Sequence, residues 1–321
     1  MIDRKRITLY LKGMAMGAAD VVPGVSGGTI AFISGIYEEL IGSIKSIGLD
    51  TVGVLRKEGL ASAWRSINGN FLVTLVAGII TSILLLARPI TWALQHHPVL
   101  VWSFFFGLIL ASVWLCGKLV KHWGAGPIIG VLIGAATAVM VGVLKTGSGG
   151  DSLLFFYLSG CLAICAMILP GISGAFILLL LGAYQPIMEA LKGFDLPIIL
   201  VFIAGCLTGL MAFSRFLSWL FRTHHDLAVS ALTGFLVGSL YIVWPWKKVL
   251  SLRTVHEGKP DEHLEPLLTG NVWPGDYSTL NDMDVMLGIS SKDPQVLPAV
   301  LLCLAGIALL LILERSGPAS T

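Results

Sequence analysis

One short element occurs twice in this chain, and each copy interrupts an apolar run. Pro23-Gly24-Val25-Ser26-Gly27-Gly28 leads into Thr29 to Tyr37, and Pro170-Gly171-Ile172-Ser173-Gly174-Ala175 leads into Phe176 to Tyr184. Pro, Gly, Ser, Gly, a later Gly (Gly35, Gly182) and a Tyr match without a gap at one offset of 147 residues. Proline ends a preceding helix, because it lacks an N–H and crowds the residue before it. The glycines permit a turn with no side chain in the way. Serine can then cap a new helix running into the apolar residues beyond. The surroundings decide what such a break means. Hydrophobic residues make up 55% of the chain and charged residues 12%, with a mean hydropathy of +0.86. A soluble domain carries about 25% charged residues. An integral membrane protein is therefore predicted, with two helix breaks inside the bilayer.

Several runs approach the roughly 20 residues that a spanning helix needs. A first hairpin is predicted over 7–41, with Ile7 to Val22 and Gly24 to Ile41 as its arms. Residues 42–70, with Lys45, Arg56, Lys57 and Arg65 among apolar positions, read as an interfacial amphipathic segment. Spans follow at 71–87, 98–117 and 127–144, then a short polar loop from Lys145 to Asp151. No Asp, Glu, Lys or Arg lies between Asp151 and Glu189, and Pro170 sits at the midpoint, which predicts a second hairpin over 152–190. Spans at 196–213, 227–244 and 296–313 complete the chain, with an external polar loop over 246–294.

The repeat extends past the hairpins. Gly78, Arg88, Trp92 and Gly107 match Gly205, Arg215, Trp219 and Gly234 at an offset of 127 residues. The reading is thus an all-α integral membrane protein of two repeats, 1–145 and 146–321. Each repeat is a Pro/Gly-broken, re-entrant helical hairpin plus three transmembrane helices. Three is odd, so the repeats should have inverted topology, as in many secondary transporters. The basic residues of 42–70, Lys118 to His122 and Arg215 to His225 then share one side with the N-terminus. The positive-inside rule makes that side cytoplasmic, and places the C-terminus there as well.

A helix N-terminus offers up to four unpaired N–H groups and about half a positive charge. Away from water, two such ends form a seat for a phosphate or carboxylate. Ser26, Gly27, Gly28, Thr29, Ser173 and Gly174 are the residues that would form it. The alternative is close helix packing through small residues, which two copies in equivalent places make less attractive. Arg88 and Arg215 read either as interface anchors or as a bidentate phosphate clamp. Asp20 and Glu38 are candidates for proton or sodium coupling, and Asp20 alternatively caps exposed backbone. The pairs His96-His97 and His224-His225 are proton sensors or interfacial residues.

Other classes are poorly supported. A net charge of +2 gives no nucleic-acid footprint. The five cysteines sit in or beside apolar runs without metal spacing, so no metal and no cofactor is predicted. Lys12 and Asp20 interrupt the first apolar run, which argues against a cleaved signal peptide. No HExxH, GxSxG or P-loop pattern occurs, and Ser214-Arg215 with His224-His225-Asp226 departs in spacing from lipid-phosphatase signatures, so no enzyme is expected.

Lys12 to Ile41, above all GAADVVPGVSGGT, together with ILPGISGAFILLLLGAYQPIM from Ile168 to Met188, resembles a bacterial and archaeal membrane family. That family was long catalogued as a domain of unknown function and is linked to polyprenyl-phosphate transport (PopT-type). The resemblance covers nearly the whole chain. It implies a flippase of the cytoplasmic (inner) membrane that returns undecaprenyl phosphate to the cytoplasmic leaflet for cell-envelope synthesis. Headgroup binding then falls to the six hairpin residues named above, with Arg88 and Arg215 as charge partners. The competing readings are a transporter or channel for a small soluble anion such as phosphate, and a scaffold for envelope enzymes.

Overall fold

The computed structural model describes residues 4–21, 26–143, 150, 152–255, 263–287, 289 and 292–316. Pro23, Gly24 and Val25 of the first repeated element, and most of the loop predicted from Lys145 to Asp151, lie outside them. The helices are α1 (Arg4–Asp20), α2 (Gly27–Ile33), α3 (Tyr37–Ser46), α4 (Leu49–Glu58), α5 (Leu60–Ser66), α6 (Gly69–His96), α7 (Pro98–Leu119) and α8 (Ala125–Val143). After these come α9 (Leu153–Ile168), α10 (Gly174–Leu181), α11 (Tyr184–Gly193), α12 (Leu196–Thr223) and α13 (His225–Ile242). Strands β1 (Lys247–Val255) and β2 (His263–Asn271) then precede α14 (Pro274–Tyr277), α15 (Asp282–Met286) and α16 (Val296–Ser316). Among the described residues five helices are long and apolar enough to cross a membrane: α6, α7, α8, α12 and α13. The protein is thus a multi-pass, predominantly helical membrane protein.

Both predicted breaks occur, and each hairpin bends a second time. Ser26 and Ser173 cap α2 and α10, as the motif requires. Those helices have only 7 and 8 residues, about 12 Å, far short of the roughly 30 Å hydrocarbon core. Gly35 and Gly182, which match in the repeat, then take the left-handed conformation at φ of 72° and 73°. That region favours glycine, so the chain turns here, and α10 and α11 meet at 101°. The arms predicted as single helices to Ile41 and Met188 are therefore each broken in two.

The structure differs elsewhere from the spans read in the sequence. The spans at 71–87 and 196–213 belong to α6 and α12, each of 28 residues, about 42 Å long. Arg88 and Pro89 lie within α6. The long apolar stretch before them supplies enough hydrogen bonds for the helix to continue through a proline. Residues 42–70, read as an interfacial amphipathic segment, hold the end of α3, then α4 and α5, and the first residues of α6.

The chain divides into two compact units, Met1–Trp92 with Ser112–Ser239 and Ala93–Ala111 with Leu240–Thr321. In the first, glycines bring backbones into contact, the usual way helices associate in lipid. A Cβ at Gly78 would overlap the Tyr10 carbonyl, and one at Gly205 would overlap the Tyr157 carbonyl. Tyr10 donates to Thr81 at 2.9 Å, and Tyr157 pairs with Thr208 at 2.8 Å. Tyr10, Gly78 and Thr81 of the α1·α6 contact thus recur in α9·α12 as Tyr157, Gly205 and Thr208 at the two sequence offsets. Gly134 of α8 packs on Ala231 of α13 in the same unit. The second unit repeats this pattern, with Gly306 of α16 on Phe104 of α7. The third span read in each half of the sequence, α8 and α16, therefore packs on the second span read in the other half, α13 and α7.

The second unit also corrects the polar-loop reading of 246–294. β1 and β2 pair antiparallel, from Lys247 opposite Asn271 to Val255 opposite His263. Trp244 stacks edge-on with Trp246 and Trp273, and Trp246 Nε1 donates to the Pro294 carbonyl at 2.8 Å. Asp284, fully buried, is neutralised by Lys292 at 2.5 Å. A small aromatic core thus orders a segment whose polarity had suggested a loop.

Candidate functional site

The two hairpins meet at their breaks, within the first unit. Ser26 Oγ accepts from Gly28 N–H at 3.1 Å and donates to the Met167 carbonyl at 3.0 Å. Gly171 N–H donates to Thr29 Oγ1 at 2.9 Å, and Tyr37 donates to the Ile168 carbonyl at 3.2 Å. Helix α9 ends at Ile168, so its last carbonyls have no partner further along the helix. The first hairpin supplies those partners. Ser26, Thr29 and Tyr37 are all at most 2% exposed. A Cβ at Gly28 would lie 2.5 Å from the Ile168 carbonyl oxygen, so only glycine permits this approach.

The start of α2 is already filled from within the chain. Asp20 Oδ1 accepts from Gly27 N–H at 2.6 Å, and Thr29 N–H bonds to the Ser26 carbonyl at 2.9 Å. With Gly28 on the Ser26 hydroxyl, three successive amides are bonded, where the sequence had suggested bare ones. A buried unpaired amide costs about 1–3 kcal/mol, and the carboxylate removes that cost. The second turn is looser. Ser173 accepts from Phe176 N–H at 3.5 Å, and Gly174 packs against Ala163 of its own hairpin.

The remaining candidates lie elsewhere on the unit. Arg215 is exposed, bonds the Met211 carbonyl at 3.0 Å and reaches over Gly48 beyond α3. Lys45 donates to Ser218 one turn further along α12, at 3.3 Å. Arg88 is exposed at the equivalent place on α6. Each arginine lies eight residues before its helix ends at His96 or Thr223. Glu38 faces His225 at 3.5 Å. His225 borders an open cleft of about 510 Å³ at the α12–α13 turn, lined also by Lys121, His122, His224 and Asp226. Asp226 accepts there from the backbone N–H groups of Lys121 and His122 at 3.1 and 2.9 Å. Among the described residues no group of three His, Cys, Asp or Glu is arranged to hold a metal. Tyr37 was not singled out as a site residue in the sequence, and His225 was read only as half of a pair of proton sensors or interfacial residues. The signal for Tyr37 was its place at the end of the matched segment.

A family model described as VCA0040-like, undecaprenyl phosphate translocase-like, matches residues 16–260. That range holds both broken turns, Asp20 and both arginines. The chain belongs to this family. A relative from Vibrio cholerae, a polyprenyl-phosphate transporter, is 47% identical over 309 residues, covering 96% of each chain. Another polyprenyl-phosphate transporter, from Staphylococcus aureus, is 34% identical over 259 residues, covering 73% of this chain and 85% of that one. No solved structure matches the chain.

Proposed function

We propose that this member of the translocase-like family carries a polyprenyl phosphate, undecaprenyl phosphate in the bacterial envelope, between the leaflets of the cytoplasmic membrane. It acts as a carrier and not as an enzyme. The observation that carries the reading is the Asp20 carboxylate on Gly27 N–H at 2.6 Å, beside the second hairpin's break. An anion already sits where two helix breaks cross. A phosphate monoester is the external anion of matching charge and hydrogen-bonding capacity. Its isoprenoid tail can stay in lipid while the head moves through protein.

In this reading Ser26, Gly27, Gly28 and Thr29, with Ser173 and Gly174, receive the headgroup once Asp20 gives way. Protonation of Asp20 would remove its negative charge and weaken its hold on Gly27, so that the headgroup can displace it, which couples the headgroup's arrival to a proton. Arg88 and Arg215 lie near opposite ends of an inverted pair and draw the headgroup in from either leaflet. Glu38, beside His225, is a second titratable position on the route. The two repeats are antiparallel in the bilayer, with both termini cytoplasmic. The matched contacts of α1·α6 with α9·α12, and the exchanged third helices, support that plan.

The test is reconstitution. Proteoliposomes holding the protein should move a short-chain polyprenyl phosphate between leaflets, and millimolar inorganic phosphate should compete weakly. Uptake of inorganic phosphate without lipid movement would overturn the proposal and favour a soluble-anion transporter.

A further inference from the structure

The two hairpins, 7–41 and 152–190, contain one Lys or Arg between them, Lys12. Its ammonium donates to the Ser34 carbonyl at 2.6 Å, at the C-terminal cap of α2. Asp20 holds Gly27 N–H at the other end of the same helix. Both side chains come from α1, eight residues apart, which is about 12 Å along its axis. With seven residues, α2 is about 10 Å long. Helix α1 therefore grips α2 at both ends, with a carboxylate on its first amide and an ammonium on the carbonyl of its cap. The second hairpin has no such charges. At the 147-residue offset Ser159 stands for Lys12 and Met167 for Asp20. Ser159 is buried, and its hydroxyl has no partner among the described residues.

A cation in the arm of an apolar hairpin is costly, and a neutral donor would satisfy the Ser34 carbonyl as well. We propose that Lys12 is the fixed counter-charge for the headgroup, a positioning residue that acts across α2 on the anion at the crossing. This rests on the reading that a phosphate head displaces Asp20 from Gly27. While Asp20 is ionised, its charge balances that of Lys12 along α2. Once the carboxylate is neutral, the ammonium is left without that balance, and the phosphate restores it. Arg88 and Arg215 are exposed, where salt and water screen them. Glu39 is the acidic side chain whose field reaches Lys12. It is exposed and accepts from Asn68 at 2.9 Å, so it offsets the ammonium only in part. At about 12 Å and an effective dielectric constant near 20, Lys12 strengthens binding about tenfold for each negative charge on the headgroup. It thereby favours a doubly charged phosphate monoester over a singly charged diester.

The test is calorimetric titration of the purified full chain in detergent micelles at pH 8. The ligands are a short-chain polyprenyl phosphate, which carries nearly two charges there, and its methyl diester, which carries one. Lys12→Gln keeps a donor for Ser34 and removes the charge. It should weaken the phosphate about a hundredfold and the diester about tenfold, so the preference for the phosphate falls about tenfold. Lys12→Arg keeps the charge and should keep the preference. Lys12→Met removes the same charge with a side chain suited to an apolar arm, and must give the same loss of preference, so the test stands whichever of the two folds. A merely structural cap affects both ligands alike. Equal weakening of the two, or no weakening, therefore overturns the role of Lys12 and leaves the transport reading standing. A parent protein that binds neither lipid overturns the transport reading, and the role of Lys12 falls with it.

Discussion

Gly28→Ala adds one methyl group at the closest approach of the two hairpins. The new carbon would lie 2.5 Å from the Ile168 carbonyl oxygen and 3.1 Å from that of Met167. Ordinary contact begins at 3.4 Å, so the hairpins must part by about 0.9 Å if neither backbone bends. Three bonds cross the gap, at 2.9, 3.0 and 3.2 Å. Parting would stretch all of them to roughly 3.8–4.1 Å, beyond hydrogen-bonding range. At about 0.5–1.5 kcal/mol each, their loss amounts to roughly 1.5–4.5 kcal/mol. Alanine recovers at most about 1 kcal/mol of helix propensity, which leaves a net destabilisation of roughly 1–3 kcal/mol. The assay is SDS-titrated unfolding of the purified protein in detergent micelles, with Gly42→Ala as the control. Nothing lies within 4 Å of a Cβ at Gly42, so that variant should be neutral or slightly stabilised. If Gly28→Ala proves as stable as the control, the crossing is not held as described here.

Asp20→Asn keeps an oxygen for Gly27 but removes the charge and the titration, so polyprenyl-phosphate transport should lose its response to an imposed pH gradient. An unchanged response in proteoliposomes would remove Asp20 from the coupling. Arg88→Ala and Arg215→Ala each alter an exposed side chain. Each should lower lipid transport severalfold while leaving unfolding within about 0.5 kcal/mol of the parent, and transport at the parental rate would exclude the clamp. In the second unit burial pushes the Lys247 ammonium down to about 8 from its usual 10.5. The folded state then sheds this proton before the unfolded state does. Stability is therefore lowest below pH 8 and rises as pH climbs toward 10.5. The ceiling is about 3 kcal/mol, reduced by partial exposure and by the bond from Lys247 to the Ile242 carbonyl. Tryptophan fluorescence of the Trp244 cluster during unfolding should show this slope, and Lys247→Met should flatten it.

The parts of this fold that were legible are those written in backbone chemistry. Pro170, Ser26, Ser173, Gly35 and Gly182 act through their own φ, their missing N–H or their hydroxyl, so their effect is local and readable. The repeat was legible for the same reason, since glycines at matched places mark matched helix contacts. What escaped was set by distant partners. That α8 packs on α13 and α16 on α7 depends on Gly134 and Gly306 finding Ala231 and Phe104, and no local pattern announces such pairs. The β1–β2 hairpin was hidden by its polar composition, although Lys247 to Val255 contains β-branched residues suited to a strand. The helix through Arg88 and Pro89 ran on because the apolar turns before it outweigh one lost hydrogen bond. At the crossing, the serines were readable as caps, but the second bond each can make was not. Ser26 spends its proton on Met167, 141 residues away. The carboxylate that fills α2 was legible only as a candidate, because its geometry depends on a turn whose shape the sequence leaves open.

The central claim is that a phosphate headgroup passes through the crossing of the two broken hairpins. The most direct measurement is photo-crosslinking with a short-chain polyprenyl phosphate that carries a diazirine beside its phosphate, followed by peptide mapping. Adducts should fall on Ser26 to Thr29 and on Ser173 and Gly174, and excess unlabelled polyprenyl phosphate should suppress them. Adducts confined to the cleft at the α12–α13 turn, or to the outer faces of the spans, would contradict it.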